Sequence, residues 1–249
     1  ASPCQGEGRE FESRLPLQNI RRHSQVVRQR SAKPLPPVQI RVAPPNDFIP
    51  SNLLEGLFFY GGKNMQNPFI PLKQANLTII DGRVDEITVK NLEKLNIKVI
   101  KTIKCADVQE SISYHPDIVL HPIDHKTLIV APNVYDYYAD SLSNLGIKVI
   151  KGEMVLKYDY PFDIAYNVGR LKDIAIHNFK YTDEKLKFYL KKKKLNLVNV
   201  NQGYTKCSLA IVDDISGITS DSYIYKTLSN QGYHMLLIQP GYINLANEK

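Results

Sequence analysis

The chain has 249 residues, 43 % apolar and 9 % aromatic, so it can bury a substantial core and is neither wholly disordered nor low-complexity. No run approaches the roughly eighteen consecutive apolar residues of a membrane-spanning helix. Three widely separated cysteines (Cys4, Cys105, Cys207) argue against a disulfide framework or a structural zinc site and predict a reducing, cytoplasmic location, and without a phosphate-binding glycine loop, HExxH or GxSxG no metal and no cofactor are expected. The net charge of +7 is unevenly spread, with seven of the nine Arg and seven of the 15 Pro lying in residues 1–45.

A Pro- and Arg-rich segment of low hydrophobicity cannot bury enough surface to offset its ordering entropy. Residues 1–64 are therefore predicted to be disordered. Gly8–Pro16 and Pro37–Pro44 resemble the peptides obtained by translating the T-arms of two tandem transfer-RNA genes, so this segment is read as a non-native extension with the natural start at Met65. Nucleic-acid binding by the basic segment is a minor alternative. The apolar stretch 53–60 is too short for a signal sequence.

From Met65 onward the pattern is that of one domain, 65–249. A strand at Leu77–Asp81 leads to a helix at about 84–95. Strands at Asp117–His121 and Thr127–Ala131 precede a helix at about 133–145. Strands at Asp163–Tyr166 and Asp173–His177 precede a helix at 182–194, on which Leu186, Tyr189 and Leu190 form an inward stripe. Strands at Ser208–Val212 and Gly217–Ser220 precede a helix at 222–231. Asn133, Thr182 and Ser222 are the predicted N-caps. Lys191–Lys194 read as a solvated helix C-terminus or, less simply, an anion patch.

Each helix ends in a repeated motif. Residues 91–101 (NLEKLNIKVIK) match 141–151 (SLSNLGIKVIK) at seven of eleven positions, and Leu228–Leu236 and Leu190–Val200 are weaker copies. Gly146, Gly232 and Asn96 fall where a helix C-terminus needs a left-handed residue. The predicted fold is α/β, built from about four ββαβ units that must stack or close on one another.

Several motifs carry a resemblance to a known family: Ser113–Val119 (SYHPDIV), Tyr160–Arg170 (YPFDIAYNVGR), Ile176–Asp183 (IHNFKYTD), Gln202–Cys207 (QGYTKC), Gly217–Asp221 (GITSD) and Pro240–Gly241. Over about 65–245 the chain resembles an uncharacterised bacterial family of the pentein, or guanidine-modifying-enzyme, fold. The resemblance implies a partial α/β propeller with helices outside. It also implies a relation to hydrolases or amidinotransferases of guanidino and amidine compounds. The family continues past Pro240-Gly241, so a truncated ring, inactive as it stands and prone to self-association through its exposed edge, is expected.

Polar residues at strand ends are the candidate site. His177 and Asp221 are the candidate catalytic pair, and Asp81, Arg83, Asn167, Arg170 and Asn178 the candidate substrate-binding residues. Carboxylates, amides and an imidazole would suit a planar cation. Each also has a plain structural reading, as a turn, a cap or a satisfied buried histidine. No cysteine matches the nucleophile of the pentein hydrolases: Cys207 reads as a small buried structural residue and Cys105 lies in a connection, while His115-Pro116 reads as a turn. A small-molecule ligand is expected, with a non-catalytic binding module as the alternative to an enzyme.

Overall fold

The structure is a computed structural model that describes residues 67–71 and 73–241. The expectations for residues 1–64 lie outside the described residues. Among the described residues no helix is long and apolar enough to cross a membrane.

Strand β1 (Leu77–Ile80), helix α1 (Glu86–Lys94) and strand β2 (Lys98–Lys101) open the described chain, and β1 pairs parallel with β2. Next come a short helix α2 (Pro116–Val119), β3 (Leu120–Asp124), β4 (Thr127–Val130), α3 (Tyr135–Ser143) and β5 (Lys148–Lys151). The third group is β6 (Gly169–Leu171), β7 (Ile174–His177), α4 (Glu184–Lys192) and β8 (Asn196–Asn199). The fourth is β9 (Leu209–Ile211), β10 (Ser216–Thr219), α5 (Ser222–Ser229) and β11 (His234–Leu237). The last three sheets share one plan: a tight antiparallel pair, then a helix, then a strand parallel to the second. Thus the matching Lys-Val-Ile-Lys tetrapeptides at 98–101 and 148–151 occupy the same place, as third strands beside β1 and β4. Among the described residues β1 has no antiparallel partner, unlike β4, β7 and β10. Strand β11 is a sheet edge, and Leu236 and Leu237 are exposed along it.

The helix exits share their geometry. Asn96, Gly146, Lys194 and Gly232 all have positive φ, at 58°, 69°, 59° and 87°. The left-handed residue lets the next backbone N–H turn back, as in Ile97 to Leu92 O, Leu195 to Leu190 O and Tyr233 to Leu228 O. Helix starts differ by one residue from expectation. Asp183, not Thr182, caps α4 by accepting from Leu186 N, and Asp221, not Ser222, caps α5. A carboxylate is the stronger acceptor for orphan N–H groups, and its charge suits the helix N-terminus. Asn133 lies in a 3-10 turn ahead of α3 and instead ties that turn to Leu156.

Two predicted strands are corrected. Asp117–Val119 is helical, because Pro116 fits the first helical position and Asp117 the acidic first turn; the strand begins at Leu120. Asp163–Tyr166 is a turn segment closed by Asn167 N to Ile164 O, and the strand paired with β7 is β6. Its apolar residues are buried by packing rather than by a ladder: Ile164, Ala165 and Tyr166 are fully buried. One core joins Ile118, Ile129, Tyr138, Leu142 and Leu186, and a second joins Leu171, Ile176, Leu209, Ile224 and Leu228.

Candidate functional site

The segments leading into the first strands of three successive sheets converge on one cluster. Asn167 lies two residues before β6, Cys207 two before β9, and His115 with Asp117 just before β3. Asn167 is the fully buried hub. Its Oδ1 accepts from Lys206 N (2.8 Å) and Cys207 N (3.2 Å). Its Nδ2 donates to Asp117 O (3.1 Å) and to Cys207 Sγ (3.0 Å). One amide thereby holds the lead-ins of β3 and β9 against its own, using both donor and acceptor capacity.

Around that hub, Cys207 Sγ lies 3.3 Å from His115 Nε2. Lys206 Nζ donates to Asp117 Oδ2 at 3.2 Å and sits over the Phe69 ring. The ligating atoms of His115, Asp117 and Cys207 all lie within 4.8 Å of one another. Cys207 is an exposed residue, whereas His115 and Asp117 are half-buried. This corrects the expectation of a small buried structural Cys207: the residue sits in a turn ahead of its strand, so its side chain is not drawn into the sheet packing. The protein packed around its sulfur still pushes the thiol up to about 11; the Asn167 hydrogen bond opposes that, the Asp117 charge adds to it and Lys206 opposes it. Cys105 is buried, and burial raises its thiol too.

Of the candidate site residues read from the sequence, only Asn167 lies in this cluster. Asp81 and Arg83 flank it. They form a two-bond ion pair (Nη2–Oδ2 2.6 Å, Nε–Oδ1 3.0 Å), and Arg83 lies over the ring of Tyr114, the neighbour of His115. That pairing, chiefly the Arg83 hydrogen bond, holds the Asp81 carboxyl below its ordinary range. Arg170 is buried, donates to Pro122 O and Ile123 O, and is pushed down to about 10 by burial. His177 is fully buried between Thr182 Oγ1 (2.6 Å) and Gly203 O (2.7 Å). The carbonyl requires Nε2–H to donate, which leaves Nδ1 to accept from the threonine. Burial pushes this ring down to about 4, so it is neutral and spent within the fold. Asp221 Oδ1 accepts from Tyr223 N and Ile224 N, and its Oδ2 accepts from Gln202. The backbone carbonyl of Asn178 accepts from Tyr181 N, and its side chain does not cap the turn that follows. His177 and Asp221 are thus not brought together with a cysteine.

A sequence model of DUF6873, described as a family of unknown function, matches residues 79–249. The chain belongs to that family. The converging segments all lie within the matched DUF6873 region. Comparison with curated proteins finds no match. Among solved structures, a dimethylarginine dimethylaminohydrolase is similar at 10 % identity and TM-score 0.39, covering 62 % of this chain and 59 % of that one. An agmatine deiminase from C. jejuni is similar at 15 % identity and TM-score 0.34, covering 53 % of this chain and 47 % of that one. This DUF6873 chain therefore spans about half the length of the structures it matches.

Proposed function

We propose that this protein is a thiol-dependent enzyme acting on a small guanidino or amidine compound, on a pentein-like partial propeller of ββαβ units with helices outside. The observation that carries the reading is the contact between Cys207 Sγ and His115 Nε2 at 3.3 Å. A thiol needs a base within hydrogen-bond reach to become a nucleophile. The motif resemblance supplies the substrate class, and the strand order shared by three sheets supports the ring-like arrangement.

In this scheme His115 accepts the Cys207 proton as the sulfur bonds to the planar guanidino carbon. The proton then passes to the departing amine as the C–N bond breaks, leaving an S-linked thiouronium. Water gives up a proton to His115 as its oxygen adds to that carbon, the C–S bond breaks with the proton returned to sulfur, and a urea, or an amide from an amidine, is released. The overall change is replacement of one amine by the oxygen of water, with no redox step.

A second reading, a non-catalytic binding module, is favoured by the raised thiol, since nucleophilic cysteines are ordinarily tuned the other way. A panel of small guanidino and amidine compounds separates the two. Turnover that is abolished in Cys207→Ser and lowered about 100- to 10,000-fold in His115→Ala supports the enzyme. Binding without turnover, unchanged in Cys207→Ser, supports the module.

A further inference from the structure

We propose that His115, Asp117 and Cys207 form a binding site for a divalent cation of the zinc type. The donors are one imidazole nitrogen, one carboxylate oxygen and one sulfur, a set that suits zinc or cobalt and not magnesium or calcium. One nitrogen, one oxygen and one sulfur sharing a tetrahedral zinc, at bond lengths of about 2.0–2.3 Å, lie roughly 3.3–3.6 Å apart. Cys207 Sγ and His115 Nε2 already stand at 3.3 Å, and all three ligand atoms lie within 4.8 Å, so contraction of about 1 Å completes the set.

The surroundings are those of a supported site. Asn167 Nδ2 holds both the sulfur and the Asp117 carbonyl, while Lys206 engages one oxygen of the Asp117 carboxylate and leaves the other for a ligand. A thiolate and a carboxylate bring two negative charges to the ion, of which the Lys206 ammonium offsets one. Three protein ligands leave a fourth position for water or a small ligand. Asp117 also lines a surface cavity of about 800 Å³ bounded by Phe69, Leu120 and Lys126, and the exposure of Cys207 leaves the cluster open to solvent. The ligands come from lead-ins about ninety residues apart, which is why no metal motif is visible as a spacing.

The site shares Cys207 and His115 with the turnover proposed above, so bound zinc would block that chemistry, but zinc binding is read without any substrate and the two can fail separately. It also predicts competition: zinc would occupy the sulfur that alkylating reagents attack. The test uses the full chain, reduced and stripped of metal, titrated with zinc by calorimetry and with cobalt by absorption spectroscopy. One equivalent should bind, cobalt should give a thiolate-to-metal band in the near ultraviolet, and zinc should slow alkylation of Cys207. Cys207→Ser and His115→Ala should each weaken zinc binding by on the order of 100-fold or more, and Asn167→Ala by about 10- to 100-fold. Melting of the metal-free variants checks that they fold, and Asp117→Asn serves where an alanine variant does not. The proposal is overturned if no equivalent binds, if zinc affinity or the cobalt band survives Cys207→Ser, or if zinc leaves the alkylation rate unchanged.

Discussion

Protonating His177 should destabilise the fold, and the structure sets the size of the effect. The ring is fully buried, with its two nitrogens committed to Thr182 Oγ1 and Gly203 O. A second proton would turn Nδ1 into a donor facing the threonine and leave a cation without a counter-charge among those partners. Burial lowers its pKa from 6.5 to about 4. Because the folded value lies below the unfolded one, the neutral ring stabilises the fold above pH 6.5, and that contribution is lost as the pH falls through about 4. At about 1.4 kcal/mol per tenfold step, the contribution is roughly 3 kcal/mol. Guanidinium unfolding of wild type and His177→Gln between pH 7.5 and 4 measures it. Wild type should lose about 3 kcal/mol more than the variant over that range, and His177 should remain neutral by NMR well below pH 6. Equal pH dependence of the two proteins, or a His177 that titrates near 6.5, would refute the reasoning.

Other substitutions test other parts of the account. Asn167→Ala removes the amide that holds Lys206 N, Cys207 N and the Asp117 carbonyl, so urea unfolding should show a loss of about 2–4 kcal/mol. Lys194 is held at φ 59°, a conformation costing about 1–2 kcal/mol for a residue with a Cβ, of which glycine's entropy returns part. Lys194→Gly should therefore raise stability by about 0.5–1 kcal/mol, seen as a higher melting temperature. Asp221→Ala should cost about 1 kcal/mol of stability through loss of the α5 cap, and leave the rate of Cys207 alkylation as in wild type.

What could be read from the sequence was local. The repeated helix exits were visible because a left-handed residue followed by Lys-Val-Ile-Lys is a short-range signal, and even Lys194, no natural choice for that conformation, adopts it. The inward stripe on α4 was equally plain, since Leu186 and Leu190 are buried at helical spacing. The two misread strands failed for one reason: Asp117–Val119 and Asp163–Tyr166 are apolar because they are buried, and burial alone does not distinguish a strand from a turn or a short helix.

The cluster was mostly hidden because His115, Asp117 and Cys207 are joined only by the stacking of sheets. By sequence alone Asn167 is a polar residue at a strand end without visible partners. A signal was nevertheless there. Asn167 and Cys207 both stand two residues before the first strand of their sheets, so aligning the repeats at that strand brings them to one place. The small apolar character of Cys207 suggests a core residue, but Leu209, and not Cys207, faces the core.

The central claim is that His115 serves as the proton acceptor of Cys207, and the pH dependence of Cys207 alkylation tests it most directly. Wild type and His115→Ala would be treated with iodoacetamide from pH 6 to 11, and modification at Cys207 followed by peptide mass spectrometry. Wild type should react at least about tenfold faster near neutral pH, with the two rates converging as the pH approaches the thiol's own value of about 11. Identical rates at every pH would contradict the account, since the contact between Cys207 and His115 would then have no chemical consequence.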